Sequence, residues 1–147
     1  MTGVSLEAIQ KVVGRIPGLA ASEFALGNAA DLPHVEIFYA HANMGRQPVD
    51  NAVQRGVNGI VIAGVGNGNM PRTAIEGLAE AVKRGVAVVR SSRTMSGAVA
   101  RNIEVDDDAL GFVASMELNP QKARVLLMLG LTKTGDPRRL QEFFYEY

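Results

Sequence analysis

Residues 59–72 read GIVIAGVGNGNMPR, a run of apolar and small residues, then a glycine-asparagine cluster, then a proline. An apolar run of this length bounded by turn residues reads as a strand buried on both faces, the pattern of a parallel sheet. The glycines allow a sharp turn and close approach to a ligand, and the proline marks a helix start. At such a turn an open parallel sheet presents its recognition groups, so Asn69, at the mouth of the helix, is the first candidate site residue.

Working outward, VEIFYA at 35–40 predicts a strand and PVDNAVQRG at 48–56 a short helix closed by Gly56. Downstream, PRTAIEGLAEAVKRG at 71–85 predicts a helix with Ile75, Leu78, Ala79 and Val82 on one face, and VAVVRSS at 86–92 a third strand. The order β-α-β-α-β predicts an α/β fold, a small Rossmann-like three-layer domain with a mostly parallel sheet and right-handed crossovers. Residues 94–110 lack clear periodicity and form a longer connection than compact domains usually carry, which marks them as functional or packed against something.

Two C-terminal helices are announced by Asn119-Pro120 and Asp136-Pro137, each a capping side chain followed by proline at the first helical position. Val125, Leu126, Met128 and Leu129 are the expected core of the first. Leu140, Phe143, Phe144 and Tyr147 form the apolar stripe of the second. At the other end, SLEAIQKVVGRI spaces Leu6, Ile9, Val12, Val13 and Ile16 as a short amphipathic helix ending by Pro17. The expected organisation is an unassigned segment at 1–21, a linker at 22–33 and a domain at 34–147.

The chain has 147 residues, 47% of them hydrophobic, enough for one domain with a single core. Fifteen basic and fifteen acidic side chains balance, so no charge excess favours nucleic acid or an anionic membrane. The absence of cysteine excludes disulfides, thiolate metal sites and a cysteine nucleophile. No apolar run reaches the roughly 18–20 residues of a membrane span, and MTGVSLEAIQ lacks the order of a secretory signal. As written, the expectation is a soluble cytoplasmic protein.

GVGNGN matches the first half of a dinucleotide fingerprint, but Asn69 stands where the third glycine belongs. The strand that should end in an acid ends in Arg90 and Ser91. No cofactor is expected. In Glu104-Val105-Asp106-Asp107-Asp108 the spacing is not that of a calcium loop, and the plain reading is a solvated acidic run. Glu104, standing first in the cluster, is the exception. His34 and His41 lack a partner at metal-ligand spacing, and Ser91 and Ser92 lack both a nucleophile elbow and a nearby histidine. Thr2 is an N-terminal nucleophile only with an activating constellation that is not visible. The residues read as a binding half without a catalytic half.

From about Ser22, with DLP at 31–33, GIVIAGVGNGN, VAVVRSSR, EVDDDALGFVAS, LNPQKARVLL and DPRRLQEFFYEY in that order, the chain resembles the C-terminal domain of bacterial type II L-asparaginases and glutaminase-asparaginases. Residues 1–21 have no counterpart in that resemblance. It implies hydrolysis of L-asparagine or L-glutamine by an enzyme whose N-terminal domain carries the threonine nucleophile. That domain is not in the chain as written, so the chain alone is expected to be inactive. It also implies that Asn69 and Glu104 hold the substrate α-amino group in a neighbouring subunit's site, with Thr73 and the backbone near Gly66 and Gly68 shaping the corner, and that the protein is a homo-oligomer. Asp106–Asp108 then take structural or solvated roles. The alternatives are a non-catalytic amino-acid-binding or protein-interaction module, and a truncated gene product.

Overall fold

The computed structural model describes residues 23–24, 31–94 and 96–147. The expected helix within 1–21 and most of the expected linker lie outside the described residues. Residues 31–147 form a compact unit of their own.

Four strands make an all-parallel sheet in the order β1-β2-β3-β4: β1 Val35–Tyr39, β2 Gly59–Gly64, β3 Ala87–Ser92 and β4 Phe112–Ala114. Between them run α1 Gln47–Gln54, α2 Arg72–Lys83 and the single turn α3 Asp107–Leu110; α4 Pro120–Leu131 and α5 Pro137–Glu146 follow. Every crossover steps the same way along the sheet, so right-handedness puts the connecting helices on one face. There α1 and α2 pack side by side over Ile60, Ile62, Val88 and Phe112. The C-terminal pair covers the opposite face, α4 over β1–β3 and α5 over β4, completing the α/β/α layers.

β2 and β3 are buried at every residue, as central strands covered on both sides must be. The caps of the last two helices form as the sequence predicts: Asn119 Oδ1 accepts the Lys122 N–H at 2.9 Å and Asp136 Oδ1 accepts the Arg138 N–H at 3.0 Å. The helix faces differ in detail. In α4 the buried residues include Ala123, Leu126, Leu127 and Gly130, while Val125 points outward at 53% exposure. In α5, Leu140, Phe143 and Phe144 are buried but Tyr147 is 44% exposed, so the stripe stops short of the last residue.

β4 and α3 have no counterpart among the sequence expectations. β4 is an edge strand of three residues, and its outer side is closed by the buried Gln141 side chain. Gln141 Oε1 accepts the Ala114 N–H at 2.7 Å and its Nε2 donates to the Ala114 carbonyl at 3.1 Å. One amide group thus does for Ala114 what a fifth strand would do.

Candidate functional site

The loops that follow β1, β2 and β3 share the carboxyl edge of the sheet, where α/β folds carry their sites. After β2 the chain closes a minute hairpin: the Val65 N–H bonds to the Asn69 carbonyl at 2.9 Å and the Asn69 N–H to the Val65 carbonyl at 2.8 Å. This closure folds the turn back onto the strand end. A Cβ on Gly64 would lie 2.5 Å from the Asn69 carbonyl oxygen and 2.6 Å from that of Gly68. Gly68 has a positive φ of 79°, and a Cβ there would meet Arg90 Nη1 at 2.8 Å. Side chains are therefore excluded at both positions for different reasons, one steric and one conformational as well.

Arg90 is the residue that sequence reading passed over. It lies in β3 on the face of Ile62 and Val88, fully buried, with its guanidinium at the carboxyl edge. Nε and Nη2 donate to the two oxygens of Asp107 at 2.9 and 2.7 Å, Nη1 donates to the Asn67 carbonyl, and Nη2 also reaches the Ala100 carbonyl at 2.9 Å. Asp107 is equally buried and accepts the Asn102 N–H at 2.8 Å. A second tie runs directly between turn and loop, where Asn67 Oδ1 accepts the Ala100 N–H at 2.7 Å. The one signal in the sequence was an arginine inside an apolar strand, which must find a buried anion.

The acidic run is solvated only in part: Asp106 and Asp108 are exposed, whereas Asp107 is buried. Asp106 caps α3 by accepting the Ala109 N–H at 2.9 Å, and Asp108 bonds to Arg101 and to Asn102 Nδ2, the latter at 2.6 Å. The Asn102 amide, and after it the Arg101 guanidinium, hold the Asp108 carboxyl below the ordinary aspartate range. Arg101 extends this network to the Phe112 carbonyl at 3.0 Å and Gln141 Oε1 at 2.8 Å. Three adjacent carboxylates thus take a cap, a buried pair and a surface pair, because successive side chains on a turn diverge.

Against this background Asn69 and Glu104 stand out. Both side chains are exposed, and neither has a hydrogen-bond or ion-pair partner among the described residues. They line separate depressions. Asn69 borders one of about 230 Å³ with His41, Val65, Met70, Pro71 and Arg93. Glu104 borders one of about 510 Å³ with Asn102, Ile103 and Asp108. Thr73, at the start of α2, donates its hydroxyl to the Met44 carbonyl at 2.6 Å, tying the loop after β1 to the helix that follows the turn.

The remaining candidates are locally engaged. Ser91 Oγ donates to the Leu118 carbonyl at 3.1 Å, and Ser92 Oγ shares a hydrogen bond of 2.7 Å with Thr94 Oγ1. His41 Nδ1 lies 2.9 Å from the Ala42 carbonyl, while His34 Nε2 stands 3.5 Å from Glu36, a partner two residues away that the sequence reading overlooked. Among the described residues no hydroxyl is bonded to a histidine, and no group of three His, Asp or Glu side chains is gathered to hold a metal ion. No helix among the described residues is long and apolar enough to cross a membrane. Thr2 lies outside the described residues.

Residues 34–144 match the model of the glutaminase/asparaginase C-terminal domain. The chain is 51% identical over 124 residues to L-asparaginase 2 of Escherichia coli (strain K12), a match covering 84% of this chain and 36% of that protein. It is 50% identical over 116 residues to the probable periplasmic L-asparaginase of Haemophilus influenzae, covering 79% and 33% respectively. With the glutaminase-asparaginase of Pseudomonas fluorescens biotype A the identity is 42% over 127 residues, covering 86% and 35%. The chain spans about a third of the length of these relatives.

Proposed function

Because this chain belongs to the glutaminase/asparaginase C-terminal domain family, we propose that it is the substrate-recognition part of an L-asparaginase-type amide hydrolase. Asn69 and Glu104 receive the α-ammonium group of L-asparagine or L-glutamine. An ammonium offers only donors, so it is met by acceptors: the Glu104 carboxylate supplies the opposite charge and Asn69 Oδ1 fixes direction. Charge-assisted bonds of this kind are the stronger class of hydrogen bond.

The observation that carries this reading is the contrast in the turn and loop. Asn67, Asn102, Asp106, Asp107 and Asp108 all spend their oxygens on the protein itself. Asn69 and Glu104 alone among the amide and carboxylate side chains there keep theirs open. The hydrolytic step lies elsewhere in the assembly. Amide cleavage needs a nucleophile paired with a base, and the hydroxyls at this edge are bonded to carbonyls or to each other. On this reading the described residues supply no paired nucleophile and base, and the chain on its own is expected to be inactive. A nucleophile-bearing domain, joined in cis or supplied in trans, completes the site, with one copy of this domain reaching into its neighbour's.

Ammonia release from L-asparagine and L-glutamine tests this. The purified chain gives none above blank, and mixing with a separately produced N-terminal asparaginase domain restores turnover. In the restored enzyme Asn69→Ala and Glu104→Gln each raise KM by about 10- to 100-fold, the size of a lost hydrogen bond to a charged group. Turnover by the chain alone, or a restored activity indifferent to both substitutions, overturns the proposal.

A further inference from the structure

Asn69 and Glu104 sit on different loops and line different depressions, so something must hold those loops in a fixed relation. The Arg90 guanidinium is placed to do it. Its four hydrogen bonds reach the turn at the Asn67 carbonyl, the long loop at the Ala100 carbonyl, and the start of α3 at Asp107. Asp107 in turn holds the Asn102 N–H, and the Asn67 side chain closes the circuit to the Ala100 N–H. Asn67 is two residues before Asn69, and Asn102 two residues before Glu104. A planar fork with several fixed donors suits this task; a lysine ammonium on a flexible stem does not.

We propose that Arg90, acting with Asn67, is a positioning residue that sets the Asn69 amide and the Glu104 carboxylate in register. This rests on the reading of those two as the ammonium-holding pair. The clamp touches no substrate itself. Its contribution is to hold both acceptors in place before the ligand arrives, so that binding does not have to order two loops at once.

Substitutions at Arg90 break a buried ion pair and are liable to unfold the domain, so Asn67, half-exposed, is the informative position. The test titrates L-aspartate into the full 147-residue chain, followed by NMR, beside Asn67→Ala, Asn67→Asp, Asn69→Ala and Glu104→Gln. Asn67→Ala weakens binding about tenfold, the effect of one lost hydrogen bond, without moving the thermal midpoint by more than a few degrees. Asn67→Asp, which keeps an acceptor oxygen in place, restores it. In the Glu104→Gln background Asn67→Ala has little further effect, because the group it positions has lost its charge.

Binding weakened by Asn69→Ala and Glu104→Gln but untouched by Asn67→Ala overturns the clamp and leaves the pair standing. Binding that ignores the pair, or no binding at all, overturns the reading of the pair instead. Amide exchange then decides the clamp: the Asn102 N–H, bonded to Asp107 and not to Asn67, exchanges about tenfold faster in Asn67→Ala. An unchanged rate overturns the coupling.

Discussion

Replacing Asp107 by asparagine removes one charge and almost no volume. Asp107 and Arg90 both have fully buried side chains, and the arginine stays protonated whatever its surroundings. One asparagine oxygen can still accept a bond, but its NH2 group then faces either Arg90 Nε or both Arg90 Nη2 and the Asn102 N–H, donor against donor. Leaving a buried charge uncompensated in this way costs about 3–5 kcal/mol. For a domain of this size each kcal/mol lowers the midpoint by roughly 4 °C, so the expected fall is about 12–20 °C. Thermal unfolding of the full chain at pH 7, followed by far-ultraviolet circular dichroism and calorimetry, measures it. The double variant Arg90→Met/Asp107→Leu removes both charges together but leaves the Asn67 and Ala100 carbonyls and the Asn102 N–H without these partners, so it too is destabilised, by about 1–3 kcal/mol for each group left buried. A fall of less than about 5 °C for Asp107→Asn refutes the argument that the pair is dry and mutually dependent.

Gln141→Leu strips both Ala114 groups of their partners on the open side of β4. The expected destabilisation is about 2–4 kcal/mol by thermal unfolding, with self-association through the bared edge visible by size-exclusion chromatography. Gly64→Ala drives a methyl group into the turn's backbone and lowers stability by about 1–3 kcal/mol, whereas Gly45→Ala, which meets nothing within 4 Å, is nearly neutral; equal effects would contradict the packing. Asp108 has a lowered native pKa, chiefly from Asn102 and then Arg101. Its stabilisation is present above the unfolded aspartate pKa and is lost as pH falls through the lower native value. A carboxyl-carbon NMR titration of the parent chain and of Asn102→Ala checks the cause: the midpoint rises in the variant, and an unmoved midpoint excludes Asn102 as the main source.

What was legible in the sequence was whatever depends on neighbours along the chain. The β2 run, the glycine turn and the Asn119 and Asp136 caps are local, and each forms where its residues predict. β4 was not legible because three residues carry no period, and its edge is satisfied by a side chain from a helix 27 residues later. Val125 was misplaced in the core and Leu127 left out of it because residues 125–129 read VLLML, an unbroken apolar run that circles the helix and whose period does not say which face meets the sheet. Asn69 was legible from its place in the turn and Glu104 from its place at the head of the acidic run, their shared role came from the resemblance, and the structure adds that their side chains are unengaged among the described residues. Arg90 and Asp107 escaped notice because their meaning is a contact across 17 residues. Read singly, one is a strand end and the other a surface acid.

The strand order 1-2-3-4 has a consequence for the shape of any ligand site. In doubly wound sheets a cleft opens where the strand order reverses and adjacent loops part to opposite sides. This sheet never reverses, so its carboxyl edge has no such natural cleft, and its loops form a shelf against which a ligand can be pressed from one side. A shelf supplies direction and charge but cannot by itself exclude water. On the proposed reading, the shelf by itself holds an ammonium group in the open, and seclusion from water has to come from a second body laid over it.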